Sequence, residues 1–452
     1  MSAIAFSAAH FAVALFGLPA AFHPSLRGAR PAVRASAAFA AGAVALTLEA
    51  TLLSIFRVPW SVALLSLPLL GISLALTIRW SRHPFPRDRR PPASGTLGLA
   101  AAVAGGLALI HLVLSLATAR ATSADFLFFW GVKGARFAAA RGIDSNLLGD
   151  FFSHHMVPDY PPLVPILYSW STLVAGELPW QFATVLSAFW ILAATPLLVF
   201  FLRRTMPPDA AVAVTAFWTV ALAISAVRSF SGGNAEAPLL FFETVALAAL
   251  LAERPDETGR SRFFPALALS GAALTKVEGS VAVLLIVAGV ALRDLLERRP
   301  RVVRRLLPLA AAPLACTAVW FAFQATHGLP VGYRTHGGLS EVHFRYVDSA
   351  LTEFGRHLGA GTAGLSWIIP VALLVASARR LRPNLVPAVS LATGLLLFFF
   401  FDYLRDPTDP AIRIGWTLPR VSQPALSAVI LAAGLAVGNR GQTTVPKSVN
   451  QD

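Results

Sequence analysis

The chain has 452 residues, 56% of them hydrophobic and only 13% charged, with a net charge of +14 and a mean hydropathy of +0.65. That composition leaves no room for a large soluble domain, and a single cysteine, Cys316, excludes a disulfide framework. The basic excess would suit nucleic acid, but its distribution follows membrane topology, so no nucleic-acid partner is expected.

The first apolar run, 3–22, lacks a basic segment ahead of it and reads as a retained helix rather than a cleaved signal peptide. Further runs follow at 35–56, 60–78, 97–119, 180–202, 208–227, 237–252, 262–276, 279–294, 306–326, 358–377, 385–403 and 421–438. Crossing roughly 30 Å of hydrocarbon takes about 20 apolar residues. The expected fold is all-α, a polytopic transmembrane bundle of about thirteen spanning helices. The loops around 23–34, 79–96, 203–209, 253–261, 293–305 and 378–384, with the tail from 439 and the adjoining Arg262, hold 24 of the 37 Lys and Arg but 8 of the 23 Asp and Glu. The positive-inside rule makes that side cytoplasmic, which puts the N-terminus outside and the C-terminus inside an inner or plasma membrane. A further apolar segment, 161–177, would invert every later loop if it crossed. It is expected to be interfacial or re-entrant, its backbone buried in protein, and Pro161, Pro162 and Pro165 suit such a place.

Three long loops, 120–160, 327–357 and 404–420, fall outside and carry six of the ten histidines in the first two. Polar groups gathered at one surface favour chemistry on a lipid-borne substrate, whereas a transporter concentrates them at mid-membrane on broken helices. Asp125 opens the first loop, and a carboxylate at the mouth of a membrane helix is costly to keep near lipid. Residues 125–141 read as an amphipathic surface helix, with Phe126, Phe129, Trp130, Phe137 and Ala140 near one face and Lys133, Arg136 and Arg141 on others. A plain interfacial anchor would look similar.

The hairpin 262–294 has arms of only about 15 to 17 residues. Its tip, Thr275-Lys276-Val277-Glu278-Gly279, is therefore expected at or just below the outer interface, at the depth of lipid phosphates. Snorkelling of Lys276 onto Glu278 is the bland alternative. A tight turn, Gly232-Gly233, leads to Glu236, which either caps the following helix or meets substrate. Arg420, after Trp416, sits where the last helix begins, and its guanidinium fork suits phosphate oxygens as well as simple snorkelling. His111, Glu49 and Glu243 lie within apolar runs, where structural roles compete with functional ones. No Walker A loop, HExxH or GxSxG motif is present.

Taken in order, Asp125, Asp159-Tyr160-Pro161-Pro162, the Gly233-to-Pro238 turn with Glu236, Thr275-Lys276 to Gly279, and Trp416 to Arg420 resemble the GT-C glycosyltransferases. These are multi-pass enzymes that use polyprenyl-phosphate sugars. The likeness covers roughly residues 97–440 and is nearest to the protein O-mannosyltransferase and aminoarabinose-transferase branch. It implies a GT-C-like catalytic module over 97–440, preceded by additional helices and a basic linker over 1–96 and followed by a cytoplasmic tail over 441–452. It implies Asp125 as base toward a hydroxyl acceptor, on a glycan, lipid or protein of the cell envelope. Lys276 and Arg420, with Lys133 and Arg334, would hold the donor phosphate, while Asp159, Tyr160, Glu236, Glu278 and Trp416 would contact acceptor or sugar. The one cofactor it leaves room for is a divalent metal, Zn²⁺, Mn²⁺ or Mg²⁺, on Asp159 with His155 or His336. Two departures stand out: the extra N-terminal crossings, and a lone acid at 125 where mannosyltransferases carry an acidic pair.

The lipid phosphate is already a good leaving group, so the chemistry calls for cations to neutralise it and a carboxylate to take the acceptor proton, with inversion at the anomeric carbon. The competing classes are a secondary transporter or flippase of a lipid-linked substrate, and a non-catalytic carrier-binding assembly protein. The enzyme reading requires Asp125, Lys276 and Arg420 to converge in one cavity beside the bilayer.

Overall fold

The computed structural model describes residues 2–26, 28–81, 95–118, 124–150, 152, 157–184, 186–226, 232–253, 262–332, 342–378 and 382–438. Among these the chain is helical and contains no strand. Chain order gives α1 (Ser2–Phe16), α2 (Pro31–Ile55), α3 (Val62–Ser81), α4 (Thr96–Thr118), α5 (Gly131–Ala140), α6 (Leu163–Ala175), α7 (Leu186–Leu202), α8 (Pro208–Ala226) and α9 (Glu236–Leu251). They continue with α10 (Phe263–Thr275), α11 (Val277–Leu296), α12 (Val302–Thr326), α13 (Val347–Gly359), α14 (Gly361–Ala376), α15 (Val386–Tyr403), α16 (Ala411–Val421) and α17 (Gln423–Gly438).

Seven of the described helices are long and apolar enough to cross a membrane, or up to nine if each of two bent pairs is one span. The protein is a helical multi-pass membrane protein. The pairs are α13 with α14, bent by 83°, and α16 with α17, bent by 48°. Four apolar helices, α1, α6, α7 and α10, are shorter than a full span.

The expected interfacial segment is α6, and every residue from 161 to 172 is buried. Its polar groups are held inside: Ser169 Oγ donates to the carbonyls of Gly134 and Pro165, and Trp170 Nε1 donates to Ala9 O. Such enclosure is what a proline-bearing helix needs where water is scarce. The helices of 1–96 pack into the rest of the bundle, since Trp170 reaches α1 and Phe39 of α2 stacks edge-on against Trp190 of α7.

Loops meet at two ends. At one end Arg204 donates to Ser25 O, the Gly95 amide reaches Asp209, and His23 stacks on Phe263. At the other, Trp60 N donates to Arg141 O, Ile143 N to Ser54 Oγ, and His343 N to Leu404 O. Each contact joins loops that the arginine pattern assigns to a common side.

The centre of the bundle is the unit α9–α10–α11. All of α9 is buried, from Glu236 to Leu251. The break between α10 and α11 is a single extended residue, Lys276, at φ −152° and ψ 165°. It is tight because Gly279 has no side chain: a Cβ there would lie 2.0 Å from Ala272 O. At about 1.5 Å per residue, the 13 residues of α10 span roughly 20 Å, short of the hydrocarbon thickness.

Candidate active site

The site is built where the N-termini of α9 and α11 meet. Lys276 lies between two carboxylates, with Nζ 3.3 Å from Glu236 Oε1 and 3.0 Å from Glu278 Oε1. Glu236 and Glu278 stand in the first turns of their helices, where the backbone dipole favours negative charge. Neither N-terminus has a side-chain cap, so backbone N–H groups remain for a ligand.

Arg420, near the end of α16, joins the cluster from the far part of the chain. Its Nη1 donates to Asp125 Oδ2, and its Nε lies 3.7 Å from Glu236 Oε1. Asn234 Nδ2 approaches the same Asp125 oxygen at 3.5 Å. The Asp125 side chain is 39% exposed, against 7% for Glu236, so it is the accessible carboxylate of the group. The turn that delivers Asn234 and Glu236 depends on Gly233, at φ +90°, whose missing Cβ would strike the Phe126 ring at 2.5 Å. Tyr168 Oη donates to the Gly233 carbonyl and fixes it.

A second layer comes from the segment after Asp125. Phe126–Trp130 forms a π-helical turn leading into α5. Trp130 stacks on Tyr160, and Lys276 Nζ lies 5.5 Å from the Tyr160 ring centroid. Burial, then the nearby Glu278, pushes the Tyr160 hydroxyl above its ordinary range. Lys133 departs from expectation: it is buried, not on a polar face, and donates to Val157 O at 2.9 Å over the Phe129 ring. Burial lowers it to about 7, although the charge of Asp159 opposes the shift. Val157 holds φ +48°, an outlier for a β-branched residue, and it presents the carbonyl that Lys133 uses. Asp159 is buried beneath this layer and its carbonyl accepts from Trp320 Nε1.

The pocket at the centre has about 10 Å³ of free volume, room for one water. One wall is ionic, with Glu236, Lys276, Glu278, Arg420 and, two turns along α9, Glu243. The other is apolar, with Leu239, Leu395, Phe399, Val421 and Pro424. Both Glu243 oxygens, Glu236 Oε2 and Glu278 Oε2 lack a hydrogen-bond partner among the described residues.

The structure thus brings together Asp125, Glu236, Lys276, Glu278 and Arg420, with Tyr160, Lys133 and Asp159 behind them. Trp416 stands apart, 78% exposed on α16, and His111 faces outward from α4. Arg334, His155 and His336 lie outside the described residues. Among the described residues no group of three His, Cys, Asp or Glu side chains is placed to hold a metal ion. Sequence reading missed Asn234, Gln423 and the apolar wall. Asn234 and Gln423 each sit within three residues of a residue that was singled out, Glu236 or Arg420, which is the only signal that could have drawn attention to them.

The arginine-rich end carries a second ionic cluster. There Glu253 and Asp294 accept on all four carboxylate oxygens from Arg262, Arg293 and Arg305. Arg262 and Arg293 are each only 1% exposed. The sequence reading gave these arginines an orienting role alone; burial and pairing show that they also hold the ends of α9, α10, α11 and α12 together. Burial pushes the Glu253 carboxyl up, and the stronger opposing effect of Arg262 and Arg293 holds it below the usual carboxylate range.

No family model, curated protein or solved structure matches the chain, so the likeness to GT-C enzymes rests on the residues themselves.

Proposed function

We propose that the protein is a membrane glycosyltransferase of GT-C type, moving a sugar from a polyprenyl phosphate to a hydroxyl acceptor at the exoplasmic face. The observation that carries this reading is the meeting of Asp125, Lys276 and Arg420, from three distant stretches of chain, in one ionic cluster. An ionic wall facing an apolar one is the arrangement a lipid phosphate needs, with its headgroup against cations and its first isoprene units against Leu395 and Phe399. The arginine-rich loops lie at the other end of the bundle, which supports an exoplasmic site, an outside N-terminus and a cytoplasmic C-terminus.

Charge decides how the donor enters. Lys276 and Arg420 face three carboxylates, Asp125, Glu236 and Glu278, so side chains alone leave the cluster at −1. The two uncapped helix N-termini add roughly half a positive charge each. A phosphodiester anion is accommodated when it takes over the place of a carboxylate. Asp125 is the one able to yield, because it is the most exposed and is held through a single guanidinium nitrogen. The phosphate then lies on Arg420 and Lys276, and the released Asp125 is free to accept a proton beside the anomeric carbon.

The acceptor hydroxyl attacks that carbon as Asp125 takes its proton, the C–O bond to phosphate breaks with its electrons on the leaving oxygen, and Lys276 and Arg420 stabilise the phosphate formed. A single displacement inverts the anomeric centre. Transfer lost on EDTA treatment and restored by Mn²⁺, Mg²⁺ or Zn²⁺ would add a metal on Asp159 to this scheme; unchanged transfer would remove it.

The test is to incubate purified protein with a panel of polyprenyl-phosphate sugars and acceptor extracts and to follow release of free lipid phosphate. Release that depends on acceptor supports transfer. No release with any donor, alongside vectorial movement of lipid in proteoliposomes, would favour a flippase.

A further inference from the structure

A cavity separate from the active-site cluster opens at the same end of the bundle, between the α2–α3 link, the end of α5 and the end of α12. It has a volume of about 490 Å³, within the range of small-ligand sites. Arg57, Arg141 and His327 line it, with Ser145 and Asn146 as neutral donors, while the Ser54 hydroxyl is engaged, donating to Ala50 O and accepting from Ile143 N. Among the described residues no acidic side chain lines it. Asp144, beside it in sequence, is engaged by Arg136 at 2.9 Å and by the Leu147 amide.

Neither the Arg57 nor the Arg141 guanidinium has an ion-pair or hydrogen-bond partner among the described residues. This contrasts with Arg136, Arg262, Arg293 and Arg420, each of which is paired. The walls are nevertheless fixed. Trp60 N donates to Arg141 O, Ile143 N donates to Ser54 Oγ, and Trp60 Nε1 donates to Ala50 O. Two guanidinium forks on a rigid frame, with neutral donors between them and, among the described residues, neither an ion-pair partner nor a lining carboxylate, form a site for phosphate oxygens.

We propose that this cavity is an anion subsite that takes a phosphate-bearing group, either the headgroup of an acidic lipid or a phosphorylated segment of a soluble ligand. Arg57 and Arg141 supply the charge and Ser145 and Asn146 the neutral hydrogen bonds. The subsite stands one helix away from Asp125, the 16 residues to Arg141 corresponding to roughly 24 Å. It does not depend on the transferase reading, because it shares no residue with the active-site cluster.

Isothermal titration of the full-length protein in neutral detergent at low salt tests it, with inorganic pyrophosphate in one arm and dihexanoyl phosphatidic acid in the other. Saturable binding in either arm is expected, weakened about tenfold or more by Arg57→Gln and by Arg141→Gln and unchanged by Arg356→Gln, an exposed arginine outside both pockets. Binding in the pyrophosphate arm assigns a soluble phosphate, and binding in the phosphatidate arm alone assigns a lipid headgroup. Arg57 and Arg141 hold φ +56° and +50°, which glycine adopts freely, so Arg57→Gly and Arg141→Gly keep the fold while removing the guanidinium and must show the same loss. Absence of saturable binding in both arms overturns the proposal. So does binding that the Arg57 and Arg141 variants both retain, or binding that Arg356→Gln abolishes.

Discussion

The two buried ionic clusters at opposite ends of α9–α10–α11 use the same residue types to different effect. At the arginine-rich end, every oxygen of Glu253 and Asp294 accepts two hydrogen bonds from arginine side chains. At the other end, among the described residues, Glu236 and Glu278 each leave one oxygen without a partner, Glu243 leaves two, and the accessible Asp125 shares Arg420 with Glu236. A satisfied network locks helices together, whereas unsatisfied buried groups cost stability and persist where a ligand completes them. The first cluster reads as a clamp and the second as a site.

The largest expected effect separates the two by function. Asp125→Asn should lower turnover by roughly 10²–10⁴-fold if the carboxylate is the base, with thermal stability close to that of the parent. Activity within a few-fold of the parent would reject the assignment. In the clamp, Arg262→Met removes a donor from both Glu253 oxygens and from Asp294 Oδ2, leaving these buried carboxylates to Arg293 and Arg305. Loss of one member of a buried pair costs about 3–5 kcal/mol, read as a large fall in melting temperature in detergent. A melting temperature unchanged by that substitution would make the clamp incidental.

Gly279→Ala sharpens the link between packing and site. The added methyl meets Ala272 O, so α10 and α11 must move apart. Overpacking of this kind costs about 1–3 kcal/mol, and here it should also displace Lys276 and weaken donor use. A variant of normal stability and activity would show that the close approach is unnecessary.

The smallest effect is a pH dependence at Lys133. Burial puts its folded-state value near 7, below that of the unfolded chain, so between those values the unfolded state binds more protons. Stability contributed by this group therefore rises as pH increases from 7 toward 10. Melting temperatures across that window should climb less in Lys133→Met than in the parent; equal slopes would place the lysine in a wetter setting.

How much of this was legible in the sequence depends on how local the signal was. Apolar runs announced a helical membrane protein, although α10 and α1 are shorter than full spans, because buried helices inside a bundle need not match the bilayer. Asp125, Lys276 and Arg420 were visible because charge at the end of an apolar run is costly. The depth of Lys133 was not visible: its helical phase gave no hint that Val157, more than twenty positions away, turns a carbonyl toward it. Nor was the clamp, since Arg262 and Arg293 look in sequence like any other positive-inside residues and only folding shows them sharing Glu253.

On the proposed function, far-separated cations cancel the charge of a lipid phosphate in one pocket. Equilibrium binding of a short-chain polyprenyl phosphate to purified parent, Lys276→Met, Arg420→Met and the clamp variant Arg305→Met tests it most directly. The account predicts saturable binding that weakens at least about tenfold in each of the first two variants and is unchanged in the third. Equal affinity in the parent and in both Lys276→Met and Arg420→Met would contradict it.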